Sequence, residues 1–434
     1  MSELNTLFSG RGLHSLFTPS IITNKNNHLL TGTNTFYPPN FTNPLNTLKP
    51  SQHFKTQGNG NSYLLSSSSS ESLPSTFDWR TEAKSKDIKL GGVKDQKTCG
   101  DCWSMSSSSV LSDRFNIKNK NSSTPALSPL NLMACSVSTT QHGGCLGGSP
   151  INAGHILETY GITADNCASW SQWCQNNCSS VETNNNNIPE CCSYSNCNVW
   201  YAKPGSTSTL HGTSISSIST SLQTFNEHLK ANITITFNQY PKSVQNQIKH
   251  EIFTNGPVVT SFFVFNDFQT NSPWSSTDNI YIHGSYSNPQ PSLQGGHAVE
   301  IIGWGIKNNV EYWIVKNSWG SDWNDKGYFN IAMTQYKNGS SSSSIIDQTV
   351  NGFTGIDTPF TISANGQSSL FGGVTFFEPD LSRQNIKGIG PEKCKQKPPP
   401  SPPDPSGNFF QKHKVLIIII CISILIILLL SIFV

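Results

Sequence analysis

The chain has 434 residues, enough for one large domain or two small ones with appendages. A net charge of +2, with charged residues at only 12%, provides no basic field for nucleic acid, so that partner class is excluded. Twelve cysteines are many for a reducing compartment, and ten of them fall between Cys99 and Cys197, which implies a disulfide framework or a metal site.

Residues 1–72 are polar, rich in Asn, Ser, Thr and Pro, and hold the run Ser66–Ser70. Such a segment reads as a loosely folded leader. Met1 to Ser20 lacks the continuous apolar core of a secretory signal, because Glu3 and Arg11 interrupt it. Residues 73–353 carry the motifs. Cys102 to Asn116 predicts a helix with Cys102 in its first turn, where partial positive charge favours a thiolate. Ser106 to Ser109 weaken that helix, serine being a mediocre helix former. Cys167, Cys174, Cys178, Cys191, Cys192 and Cys197 include no histidine between them and no paired CxxC, so disulfides bracing a long loop are expected there, and no metal. Asn232-Ile233-Thr234 is a glycosylation sequon, silent if the domain is cytoplasmic.

Val244 to Phe253 predicts a further helix, stopped by Gly256-Pro257. Val258 to Phe268, His297 to Trp304 and Glu311 to Lys316 predict strands, being rich in β-branched and aromatic residues. Residues 354–390 form an extension in which Gly372-Gly373-Val374-Thr375-Phe376-Phe377 marks a short strand. Residues 391–414 read as a linker with a basic flank, and the six prolines among the nine residues Lys397 to Pro405 make it stiff and extended. Val415 to Val434 carries no charge over twenty residues. As a helix it would rise roughly 30 Å, one hydrocarbon core, so a C-terminal transmembrane helix and a lipid-bilayer partner are expected at residues 415–434. Lys412, His413 and Lys414 before it favour a cytoplasmic-facing domain. That side conflicts with disulfides unless the thiols oxidise after release from the cell, as in a virus particle.

The chemistry sits in three frames: Gln96-Lys97-Thr98-Cys99-Gly100-Asp101-Cys102-Trp103, Gly295-Gly296-His297-Ala298 and Asn317-Ser318-Trp319-Gly320. A thiol, an imidazole and an amide able to orient the imidazole are the equipment for cleaving an acyl bond through a covalent intermediate. By spacing alone, Cys99 and Cys102 are also a candidate redox pair, disfavoured because Trp103 follows the pair and no βαβ unit surrounds it. Asp101 is either an inert surface residue or one that slightly opposes thiolate formation, and the former is favoured.

These frames resemble the papain family of cysteine proteases, most of all its cathepsin B branch. The family signature around the nucleophile is C-G-[SA]-C-[WY], and Asp101 departs from it. Leu73-Pro74-Ser75-Thr76-Phe77-Asp78-Trp79-Arg80, Ser112-Asp113-Arg114, Gly144-Cys145-Leu146-Gly147-Gly148, Asn255-Gly256-Pro257-Val258 and Gly303-Trp304-Gly305 extend the resemblance over residues 73–353. The absent signal and terminal anchor also resemble cathepsin-like proteins of large DNA viruses. The resemblance implies an α+β, two-lobed fold, with a helical lobe, a β-barrel-like lobe and the site in the cleft between them. It implies a thiol endopeptidase acting on proteins or peptides without a cofactor. Cys102 would be the nucleophile, His297 its proton partner, Asn317 the orienting group and Gln96 an oxyanion donor. Gly147, Gly148, Trp319 and Gln348 would meet substrate, with Trp319 also shielding the His297–Asn317 bond and Gln348 near the floor of a pocket favouring apolar side chains. Cys99 would pair with Cys145. In cathepsin B two histidines on a disulfide-braced loop capture a substrate's C-terminal carboxylate. None lies between Cys167 and Cys197, so dipeptide trimming is not expected. An inactive relative with a binding or structural role is the alternative. The oligomeric state is not set by the sequence.

Overall fold

The computed structural model describes residues 73–387 apart from 121–123, 141–142, 179–186, 211–215, 227–230, 240–241, 266, 269–278, 283–292, 335–353, 359, 365–366 and 372. The leader, the linker, the expected membrane helix and Gln348 lie outside the described residues. In chain order, strand β1 (Phe77–Asp78) leads into the helices α1 (Trp79–Ser85), α2 (Cys102–Asn119), α3 (Pro129–Thr140) and α4 (Pro150–Thr159). Strand β2 (Ile162–Thr163), helix α5 (Trp170–Asn177) and strands β3 (Asn198–Trp200), β4 (Ser208–Leu210), β5 (Ser216–Asn226) and β6 (Ala231–Gln239) follow. Helix α6 (Ser243–Asn255) then precedes β7 (Val258–Phe265), β8 (Ile280–Tyr281), β9 (Leu293–Lys307), β10 (Val310–Lys316) and β11 (Tyr328–Ala332). The last strands are β12 (Phe360–Ala364), β13 (Gln367–Phe371), β14 (Val374–Phe376) and β15 (Ile386–Lys387).

The first lobe is helical because its helix starts are written into the chain. Serine precedes each of α3, α4 and α5, and its hydroxyl accepts from the backbone: Asn131 N donates to Ser128 (3.1 Å), Asn152 N to Ser149 and Gln172 N to Ser169 (3.5 Å each). Proline follows the serine at the first position of α3 and α4, where its missing N–H costs nothing. Disulfides Cys135–Cys191, Cys167–Cys197, Cys174–Cys178 and Cys99–Cys145 then cross-link this lobe. They account for most of the cysteine-rich stretch, as the disulfide reading expects.

Helix α2 runs between the lobes, packing on α3 and α4 on one side and on β7 and β9 on the other. Every residue from Cys102 to Ile117 is buried. The serine run does not break it. Each hydroxyl that finds a partner turns back onto the helix: Ser106 onto Cys102 O (2.8 Å), Ser108 onto Met105 O (3.1 Å), Ser112 onto Ser108 O (3.0 Å). Serine thus lets the neighbouring elements approach closely, and at these three positions it satisfies its own hydroxyl.

The second lobe is built on an eight-stranded sheet in the order β4-β14-β7-β9-β10-β11-β8, with β1 joining β9. Its strand path is open among the described residues. The pairs are antiparallel except β11 with β8. The core is aromatic: Phe262, Phe268, Trp313, Trp319, Trp323 and Phe329 pack together, and Phe268 contacts Trp319 with ring centres 5.7 Å apart. Strand β7 stops at Phe265, short of the expected Phe268, which turns inward to join that cluster.

The segment that follows residue 353 packs onto both lobes. Strand β14 lies between β4 and β7 inside the main sheet, pairing Val374 with both Leu210 and Thr260. Beyond it the chain crosses to the helical lobe, where β15 pairs with β3 and Arg383 lies over the Tyr201 ring at 4.4 Å. Residues 374–387 therefore strap the two lobes together. A buried arginine holds the same seam: Arg114 of α2 donates to Pro257 O (2.7 Å) and Glu251 Oε1 (2.8 Å), and reaches Glu378 at 3.1 Å. A separate four-stranded sheet, β13-β12-β6-β5, takes up residues 216–239 and 360–371.

Candidate active site

Cys102 is the first residue of α2, and His297 lies in β9, so the expected nucleophile and its expected proton partner come from different elements, one helical and one in the main sheet. The backbone N–H of Ala298, next to the histidine, donates to Cys102 Sγ at 3.4 Å. The pairing of β9 with β10 then places the third group. Lys316 at the end of β10 sits opposite Glu300, so the next residue, Asn317, returns toward His297. Asn317 Oδ1 lies 2.7 Å from His297 Nε2. That oxygen is itself fixed by the Ser318 N–H at 2.8 Å. Nε2 therefore carries hydrogen toward Asn317, leaving Nδ1 as the nitrogen able to exchange a proton with the sulfur.

Trp319 is fully buried and stacks on the imidazole, with ring centres 4.9 Å apart and 27° between planes. It shields the His297–Asn317 bond but leaves no face for substrate among the described residues. Phe262 meets the imidazole edge-on, with ring centres 5.9 Å apart. Gln96 is held at the same junction. Its N–H donates to Ser318 O (2.8 Å), its Oε1 accepts from Ser318 Oγ (2.6 Å) and its Nε2 donates to Cys99 O (2.9 Å). Ser318 is the residue that sequence reasoning passed over. Its position directly after Asn317 was the available signal, since one residue can serve both neighbours in a tight turn.

Cys102 stands outside any disulfide and Cys99 is bonded to Cys145. A redox pair of Cys99 with Cys102 is therefore not formed. Gly100 N donates to Cys145 O (3.0 Å), and Trp103 Nε1 to Gly144 O (3.2 Å), so the two glycine-containing frames are stitched together.

The two glycines expected to make room for substrate do different work. Gly147 has φ 100°, a conformation that glycine alone adopts at low cost. A Cβ on Gly148 would lie 2.3 Å from Cε2 of Trp103, a wholly buried ring. Gly148 thus makes room for the indole. Gly148→Ala should cost about 1–3 kcal/mol through this overlap, read as a lower urea midpoint with unchanged slope.

The electrostatics differ from the helix-terminus expectation. Burial pushes the Cys102 thiol up to about 12; the Ala298 N–H pulls it down and the neighbouring Asp101 pushes it further up. The backbone N–H groups of Trp103 and Cys102, at the start of α2, pull it down as well. A thiolate here requires a cation at close range, and His297 is the residue placed to supply it. Asp101 is fully buried, not a surface residue.

Residues 73–349 match the papain family cysteine protease profile, and the chain belongs to that family. It is 31% identical over 264 residues to the gut-specific cysteine proteinase of Caenorhabditis elegans, covering 60% of this chain and 69% of that protein. It is 32% identical over 272 residues to cathepsin B-like cysteine proteinase 3 of the same organism, covering 60% of this chain and 62% of that protein. Among solved structures, procathepsin B S9 from Trypanosoma congolense aligns with TM-score 0.40 and 21% identity, over 69% of this chain and 78% of that chain. None of these matches bears on the viral likeness. Among the described residues no helix is long and apolar enough to cross a membrane.

Proposed function

We propose that the protein is a thiol endopeptidase that opens peptide bonds through an acyl-enzyme on Cys102. The observation that carries this reading is the convergence of Cys102, His297, Asn317 and Gln96, from both lobes, at one buried junction. His297 Nδ1 takes the thiol proton, and the resulting imidazolium offsets the cost of a buried thiolate. The sulfur attacks the carbonyl carbon, and His297 returns the proton to the leaving amine. Water then adds to the thioester with His297 as base. The backbone N–H of Cys102 and the second N–H of the Gln96 amide serve the oxyanion, since Ser318 fixes which way that amide points.

The absence of histidine between Cys167 and Cys197 supports endopeptidase action without dipeptide trimming. The uncharged run Val415–Val434 supports a membrane tether through residues 415–434, with the basic flank favouring a cytoplasmic-facing domain. The test is cleavage of a fluorogenic peptide amide in reductant with an epoxysuccinyl inhibitor. Turnover lost in proportion to one inhibitor adduct mapped to Cys102 supports the reading. A folded protein that neither cleaves nor takes the label refutes it.

A further inference from the structure

Asp101 stands where the family signature has a small residue, and nothing in the reaction above uses it. Its side chain makes no capping bond at the start of α2, although it occupies the cap position. Oδ2 accepts from Ser104 Oγ at 3.1 Å. Oδ1 is buried and finds no donor among the described residues. The charged groups that act on it are Lys94 and Asp95 from the preceding segment; Cys102 follows it on α2, and the N–H of Ala298, next to His297 on β9, donates to that sulfur. Lys94 directs its ammonium to Ser108 Oγ and Leu127 O, so no cation contacts the carboxyl. A carboxyl so placed keeps its proton well above the usual range, and once ionised it acts on the adjacent sulfur through a medium that excludes water.

We propose that Asp101 is a proton-operated brake on the nucleophile. This rests on the roles of Cys102 and His297 given above. While Asp101 is protonated, the thiolate–imidazolium pair forms. When it ionises, its proton leaves to solvent, the negative charge beside the sulfur disfavours the thiolate, and the imidazolium returns its proton to Sγ. No other bond changes and nothing is oxidised. The thiolate is thereby favoured at acid pH and weakened toward neutrality, by a residue outside the reacting atoms.

The experiment measures iodoacetamide alkylation of Cys102 in the full chain by mass spectrometry, from about pH 4 to about pH 8. The wild type, Asp101→Asn and Asp101→Ser are compared. A one-unit change in a thiol's pKa alters the thiolate fraction about tenfold. The wild-type rate should peak in acid and fall toward neutrality. Both variants should match it at the acid end and exceed it by about tenfold or more near neutral pH. The paired variants guard against one that folds poorly. In addition, a wild-type rate that holds level or climbs to pH 8 overturns the brake with no variant needed. Rapid labelling with superimposable profiles in all three forms also overturns the brake but leaves Cys102 as nucleophile. Labelling no faster than that of an ordinary thiol at every pH overturns both readings.

Discussion

Cys102→Ala and His297→Ala should each lower kcat/KM by roughly 10⁴-fold or more, and the double variant should be no worse than either alone. The reason is geometric. The thiol is buried and held high, so without His297 it has no cation to sustain it as a thiolate. Without the sulfur, His297 has no covalent intermediate to serve. Two groups that form one ion pair are lost together, and their effects do not multiply. Asn317→Ala should fall short of this, because Trp319 still stacks on the imidazole and holds its plane. Steady-state rates on one peptide amide, with active-site titration of the wild type, decide the matter. Multiplicative losses in the double variant would show that the two residues act separately.

Much of the site was legible because its residues are chemically scarce and locally framed. Cys102 sits beside Trp103, His297 beside Gly296 and Asn317 two residues before Trp319, in patterns that few other arrangements explain. The strands carrying His297 and leading into Asn317 were legible from their β-branched and aromatic content. What was not legible depends on contacts far apart in sequence. Val374 pairs with Leu210 and Thr260, and nothing near it announces those partners. Asp101 looked like a surface residue because charge argues for exposure. The Gly144–Cys145 frame approaches the same turn, where Gly100 N donates to Cys145 O, and nothing near Asp101 in the chain announces that. The serine run misled in the opposite direction. Helix propensity counts the cost of each serine but not the packing that a helix buried on all sides requires.

Lys316→Met should destabilise the fold by about 3–5 kcal/mol, the usual cost of leaving buried charge without its partner. Lys316 lies 2.9 Å from Asp113 of α2 and 3.3 Å from Glu300 of β9, and all three are buried, so this cluster joins the lobes directly behind the catalytic pair. Asp113 also accepts from Gly91 N at 2.6 Å, whereas neither oxygen of Glu300 has a hydrogen bond among the described residues. Burial holds Glu300 well above the usual carboxylate range; Lys316 pulls it down and the Asp113 charge pushes it further up. In the unfolded chain the same group ionises near ~4.3. Between those two values the unfolded chain binds fewer protons, so Glu300 subtracts from stability as pH rises through that window. Glu300→Gln should match the wild type near pH 4 and become progressively more stable than it toward neutral pH and above. Urea unfolding of both proteins across that range reads the difference directly, free of the other carboxylates they share. A deficit that grows with pH would mean instead that Glu300 is ionised in the folded state and that its attraction to Lys316 outweighs its burial.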